Sequence, residues 1–526
     1  MTEIVTDQTP PVLHGPSDKE KKYDRQLRLW AASGQKALED AHILLLNSGS
    51  GTVGVETLKN LVLPGIGKFT IADDSIVTEA DLGVNFFLDE DCLGMSRSES
   101  CVRLLQELNS DVEGQHYQFG RDRPLEGLFS DATFTLILYT LPIDSNNLTL
   151  IQKYANEKKV PLLSIHSAGF YSYFQTHLPG SFPIVDTHPD STATTDLRLL
   201  TPWPELSEFA QSVTKDIENQ SAHDHGHIPY LAILLHHLAR WQSEHGALPS
   251  TYKEKTAFRN FVSASTRTDN AEGGEENFEE AVAAVLKTIS SPHLSGAVKE
   301  VFDYKPDEVE SVSSFWIIAE AIKTFYSKHN ALPLPGSVPD MKAQSTIYVQ
   351  LQNIYKSKAR QDVLEVLETV RVHPGGKDIP VTEVEIFCKN AAFIKLIHGK
   401  TSPASIVEIA DKEFESDDIA ALAMMPLSLL PIYLSLNATS HVPSASSSEI
   451  VATISKIIPS ASSNPRIVKA AEEVARAKGG ELHNISSLTG GMVAQEVIKI
   501  VTQQYIPIDN TCVFDGITSR TQVLRV

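Results

Sequence analysis

At 526 residues the chain exceeds what one ordinary core organises, so two or three domains are expected. With 42% hydrophobic and 21% charged residues it is a globular protein, which excludes the disordered and fibrous classes. Against 45 Lys and Arg stand 66 Asp and Glu, and the formal charge of −21 argues against nucleic acid or an anionic membrane as partner.

Residues 1–20 are polar and Pro-bearing, and read as a flexible N-terminus with no apolar signal region. No run of 18 apolar residues follows anywhere, so a soluble cytoplasmic or nuclear protein is expected. From Asp18 to about Asp40 the pattern is a helix and turn, with Asp18 as candidate N-cap and Leu27, Leu29 and Trp30 as its apolar surface. Taken alone, Arg25 is a solvated helix charge.

Residues 41–74 carry the strongest local signal. The strand Ile43 to Leu46 feeds a turn bearing Gly49, Gly51 and Gly54, then a helical pattern, then a strand from Lys68 to Ala72 that ends at Asp73. This is a βαβ nucleotide fingerprint: the glycines allow backbone to approach phosphate, and the helix N-terminus supplies N–H groups and partial positive charge. Asp73 falls about 20 residues beyond the glycines, where such folds place a ribose-binding acid. A plain βα turn produces the same pattern.

The alternation continues through a helix at Ser96–Leu108, a strand at Thr135–Tyr139, a helix at Asn147–Glu157 and a strand at Val160–Ile165. A doubly wound, Rossmann-like α/β domain over 21–180 follows. Beyond it, Ile228–Glu244, Lys253–Ser263, Glu276–Thr288, Ser314–Lys328 and Lys342–Val370 read as helices, with an acidic connector at Thr268–Asn277. They form a large, mainly helical insertion over 181–435. A Ser/Ala/Pro-rich crossover at 436–464 returns the chain to the α/β domain, completed by 465–526. There a helix at Arg466–Lys478 precedes one that begins near Gly490 or Gly491, and Thr511–Gly516 and Gln522–Val526 are the last strands. For Gln495, Glu496 and Lys499 on that helix, a solvated face and an interface are both open.

Cys92, Cys101, Cys388 and Cys512 form no C-x-x-C pair, so neither a zinc ribbon nor a disulfide framework is indicated, and a reducing compartment fits. Cys388, within EVEIFCKNAAF, reads as a buried helix position. His223, His225 and His227 alternate in a polar loop without a fourth ligand, so no metal is expected. Phe315, Trp316 and Phe325, at helical spacing, are core.

KYDRQLRLW (Lys22–Trp30) and AQEVIKIVTQQYIPIDNTCVFDG (Ala494–Gly516) resemble the opening helix and a late segment of the adenylation (ThiF/MoeB-type) domain of ubiquitin-like-protein activating enzymes. LKNLVLPGIGKFTIAD, NFFL, HPDSTATTDLRL, TYKEK, SSFW and PDM are similar to the regulatory subunits of neddylation activating enzymes, and the resemblance runs from about residue 20 to Val526.

The resemblance implies a non-catalytic subunit in a heterodimer whose catalytic partner holds ATP and magnesium, carries the thioester cysteine and takes up a Nedd/Rub-type modifier. A conjugating enzyme would be met through the complex, and this chain would bind no cofactor itself. It implies that Arg25 reaches the partner's ATP in trans, a task suited to a planar, always charged guanidinium. Gln26, Gln495, Glu496 and Lys499 would lie at the dimer seam.

The departures from active members are as telling. Ser75 follows Asp73 where those have D-x-D, Thr52 replaces a glycine, Gly83, Val84 and Asn85 replace Asn-Arg-Gln, and Arg97 replaces a phosphate lysine. The catalytic Asp falls on Ile143, with Asp144 one place off, and its companion Arg falls on Leu148. Each such charge contributes roughly 2.7–4 kcal/mol to a transition state. Gly49, Gly51, Gly54 and Asp73 then read as vestigial, with Asp73 hydrogen-bonding locally. Alternatives are an NAD-dependent oxidoreductase, or a self-sufficient activating enzyme.

Overall fold

A computed structural model describes residues 15–190, 196–268, 274–289, 293–307, 310–399, 405–442 and 444–526. Residues 1–14 of the expected flexible N-terminus, 191–195 of HPDSTATTDLRL and 269–273 of the acidic connector lie outside the described residues. The chain forms two compact units, one of Met1–Phe182 with Ile397–Val526 and one of Pro183–Leu396.

The first unit opens with α1 (Asp18–Lys22) and α2 (Asp24–Glu39). The cap of α1 is Ser17, not Asp18: its hydroxyl accepts from Glu20 N–H while Glu20 returns the bond to Ser17 N–H. The α2 helix breaks at Trp30 and Ala31, whose φ of 56° lies outside the helical region.

Then come β1 (His42–Leu46), α3 (Thr52–Val62), β2 (Lys68–Ala72), α4 (Glu79–Leu82), α5 (Arg97–Gln106), β3 (Glu113–Tyr117), α6 (Glu126–Asp131), β4 (Leu136–Thr140), α7 (Ser145–Lys158), β5 (Leu162–Ala168) and β6 (Tyr171–His177). Two short strands, β7 (Ser181–Val185) and β8 (Ile394–His398), pair where the chain leaves and rejoins this unit, and β9 (Thr511–Asp515) and β10 (Arg520–Leu524) close it.

The main sheet has the order β10-β9-β6-β5-β4-β1-β2-β3. Strands β3-β2-β1-β4-β5 are parallel, the doubly wound order, and Leu46 sits between Ala72 and Tyr139 in register. Strands β6, β9 and β10 extend it antiparallel, so the sheet is mixed. Because helices cover both faces, β1, β2, β4 and β5 are apolar almost throughout; Leu44, Leu46, Ile137, Tyr139 and Leu162 pack with Ile151 and Tyr154 of α7.

The helices that complete the first unit include Leu430–Ala438, Pro465–Ala477 and His483–Thr502. Leu430, Leu434 and Leu436 pack with Tyr173, Val474 and Val513, so 397–435, expected within the insertion, belongs with the sheet. The C-terminal helix starts at His483 and not near Gly490 or Gly491. Those glycines stand in its middle because it packs closely on α3: a Cβ at Gly490 would lie 2.8 Å from Glu56 C and Thr57 N. Gly490→Val is therefore expected to lose roughly 1–3 kcal/mol or more in a urea melt. A variant of unchanged stability would show that the two helices separate freely.

The second unit is helical, as the patterns indicate. Its main helices include Tyr230–His245, Tyr252–Ser263, Glu276–Thr288, Ser314–His329 and Ser345–Val372. One core gathers Leu231, Leu234, Trp241, Phe258 and Phe278 with Tyr355, whose buried hydroxyl donates to Leu197 O at 2.7 Å. A second gathers Phe315, Trp316, Ile318, Phe325, Phe387 and Cys388. Among the described residues no helix is long and apolar enough to cross a membrane.

Candidate functional site

The parallel strand order reverses at β1, and in open sheets ligands bind beyond the strand ends at such a point. The turn after β1 carries Gly49 and Gly51 at φ of 61° and 65°. A Cβ at Gly51 would lie 2.4 Å from the Asn47 side chain, so only glycine lets the turn close over that residue. At its end α3 begins, presenting the free N–H groups that commonly hold a phosphate.

Those groups already have a partner. Glu481, in the loop before the C-terminal helix, accepts from Val53 N–H at 2.8 Å, from Gly51 N–H, and from the Ser486 hydroxyl at 2.5 Å. Burial pushes its pKa up to about 7, while these donors and the Arg97 charge act in the opposite direction. Between its ordinary value of 4.5 and about 7, the folded chain holds a proton that the unfolded chain has released. This contribution to stability is complete below 4.5 and declines by roughly 3 kcal/mol as pH rises through that window. Glu481→Gln removes the titration, so in urea melts the variant is expected to gain on the wild type from about pH 5 to about pH 8. A difference independent of pH contradicts this.

Arg97, at the start of α5, fills the space beside the turn. It is 3% exposed; its Nε and Nη2 grip Asp73 Oδ2 and Oδ1 at 2.7 and 3.1 Å, and its Nη1 reaches Asp81 Oδ1 at 3.0 Å. The same Nη1 donates to Gly49 O at 2.9 Å. Asp73, fully buried, also accepts from Ser75 N–H at 2.9 Å and the Asn47 amide at 3.0 Å. Arg97 thus keeps the charge of a phosphate lysine but directs it at two of the chain's own carboxylates. Asp73, in turn, has no free face for a ribose, which the NAD reading requires.

The positions that the resemblance sets against catalytic residues are equally committed. Ile143 is buried in the core beneath α7, and Leu148 packs against that core. Asp144 caps α7, accepting from Asn146 N–H at 2.8 Å. In the segment Gly83, Val84, Asn85, the Asn85 side chain is buried against Cys101 Sγ at 3.6 Å, and Val84 O accepts from His483 Nδ1 at 3.0 Å.

Arg25 projects from the first turn of α2 into solvent, and among the described residues its guanidinium makes no hydrogen bond or ion pair. Gln26 beside it is half-buried, and α2 packs on the C-terminal helix. On that helix Gln495 is exposed, but Glu496 is buried, against the expectation of a solvated or interface position. Its carboxylate accepts from Lys499 Nζ at 2.6 Å and from Ile508 N–H at 2.8 Å, which ties down the segment leading to β9. Lys499 is thereby turned inward.

All four cysteines are free and buried. Burial raises the Cys388 thiol well above its ordinary range, and its apolar neighbours are those of a core residue. The expected polar histidine loop is a short helix, Ala222–His225, in which His225 donates from Nδ1 to the buried Glu275 at 2.6 Å. Among the described residues no group of His, Cys, Asp and Glu is arranged to hold a metal.

Sequence reasoning missed Glu481 and Asp81. Neither lies in the fingerprint, and Glu481 meets α3 across more than four hundred residues of chain.

The ThiF family matches residues 23–526. The chain is 34% identical to a NEDD8-activating enzyme E1 regulatory subunit of Xenopus laevis, over 97% of this chain and 99% of that protein. It is 34% identical to the regulatory subunit AXR1 of Arabidopsis thaliana, over 96% of each. With the Saccharomyces cerevisiae regulatory subunit it shares 23% identity over 96% of its length and 100% of the relative's.

Proposed function

Because the chain belongs to the ThiF family, and within it to the NEDD8-activating enzyme E1 regulatory subunits, we propose that it is the non-catalytic half of a heterodimeric activating enzyme for a NEDD8-type modifier. The catalytic partner binds ATP, magnesium and the modifier, forms the acyl-adenylate and then the thioester, and passes the modifier to a conjugating enzyme. This chain contributes the dimer surface and Arg25, which approaches the partner's phosphates. Free, buried cysteines fit work in the cytoplasm or nucleus.

The observation that carries this reading is the filled nucleotide turn: Glu481 occupies the start of α3 and Arg97 binds Asp73, Asp81 and Gly49 O. Neither the anion seat nor the acid is left for ATP. An exposed Arg25 whose guanidinium has no hydrogen bond or ion pair among the described residues supports action in trans.

The experiment is modifier-dependent ATP–pyrophosphate exchange by this chain alone and with the catalytic subunit added. Exchange in the mixture only is expected. Exchange by the chain alone would mean that a working adenylation site is present here and that the register placing Ile143 and Leu148 at its centre is wrong.

A further inference from the structure

The helical unit contains a cavity that its own packing does not fill. It measures about 360 Å³ and lies where the two cores of that unit meet: Leu334 belongs to the first, while Leu294, Tyr326 and Leu332 pack against the second. Cavities of this size enclose small molecules. Residues 332–337 form one wall, and its polar groups are met from within the chain. Leu332 O accepts from Arg198 Nη2, and Leu334 N–H donates to Asp362 Oδ2 at 2.9 Å. Pro333 and Pro335 carry no N–H, so this wall offers the cavity apolar rings.

The charge around the cavity is one-sided. Among the described residues Asp196 is the only carboxylate in its lining, and Arg198 neutralises it, with Nε 2.8 Å from Oδ2 and the backbone N–H 2.9 Å from Oδ1. Lys287, near the end of the helix Glu276–Thr288, and Lys389, the last residue of the helix Val381–Lys389, line it too. Both are exposed, and among the described residues neither ammonium makes a hydrogen bond or ion pair. Two uncommitted cations thus stand beside an apolar cavity in a chain of formal charge −21.

We propose that this cavity binds a small molecule with an apolar body and one anionic group, a carboxylate or an equivalent oxyanion. The body lies against Tyr326, Leu332 and Phe393, whose apolar surface supplies most of the affinity. Lys287 and Lys389 supply the attraction for the anion, which sets the choice among ligands of equal apolar content. The site belongs to the helical unit and is independent of the nucleotide turn.

The test is isothermal titration of the full-length chain at about pH 7.5 with octanoate, octanol and octylammonium, which share an apolar body and differ in charge. Octanoate is expected to bind saturably, one per chain, and roughly fivefold or more tightly than octanol, with octylammonium the weakest. The double variant Lys287→Glu, Lys389→Glu should lose that preference while octanol binding is unchanged. Ala392→Trp fills the cavity from an exposed lining position and should weaken octanoate by about tenfold or more. Ser337→Trp does the same from another wall, should the first variant fail to fold by circular dichroism. The proposal is overturned by any of four results: no saturable octanoate binding, an affinity no higher than that of octanol, a preference that survives the double charge reversal, or binding unaffected in a folded filling variant.

Discussion

Arg97→Ala is expected to destabilise the chain by roughly 3–5 kcal/mol, the range for removing one member of a buried charge cluster. The guanidinium is the only cation recorded against the buried Asp73 and Asp81 carboxylates among the described residues, and it donates to Gly49 O and Ser50 O besides. Removing it leaves two like charges close together in a dry site and takes away the donor that holds the glycine turn.

Arg97→Lys keeps the charge but not the fork. One ammonium cannot grip Asp73 at two points and also reach Asp81, so an intermediate loss is expected. Urea denaturation of the isolated chain reads both. A loss below about 1 kcal/mol for Arg97→Ala would mean that water or neighbouring groups satisfy the carboxylates and that the network does not hold the turn.

Arg25→Ala is expected to behave in the opposite way. The side chain is exposed and makes no hydrogen bond or ion pair among the described residues, so the melt should shift by no more than about 0.5 kcal/mol. In the assembled heterodimer, however, adenylate formation should fall by about 10²–10³, the loss seen when one preorganised charge is removed from a developing transition state. Arg25→Lys should recover part of the rate, since it restores the charge without planar, two-point recognition of phosphate oxygens. Single-turnover formation of the modifier adenylate distinguishes these variants. An unchanged rate in a heterodimer of normal stability would remove Arg25 from the mechanism.

The sequence exposes what is local. β1 and β2 stand where their apolar runs place them because strands covered on both faces are apolar throughout, and glycine-bearing turns bound them. The insertion helices appear close to their expected limits for a similar reason: their cores are built from their own helical periodicity.

What depends on distant partners is hidden. Gly490 and Gly491 resemble a helix start by composition, yet the helix runs through them because α3 lies against Gly490. Glu496 reads as a surface charge until the segment at Ile508 folds back onto it. Asp73 is legible as a local hydrogen-bonding acid, whereas Arg97 reads as a kept charge with changed geometry, and its pairing with Asp73 is not legible. Glu481 follows two glycines at a helix end, an ordinary place for a solvated carboxylate, and nothing nearby indicates that it lies at the start of α3.

This chain's own side chains, Glu481 and Arg97, close the glycine turn. Equilibrium binding of magnesium-ATP to the purified chain, and then to the heterodimer, tests it most directly. No saturable binding by the chain alone and one ATP for each heterodimer are expected. Binding of one ATP by the chain alone, or of two by the heterodimer, would contradict it.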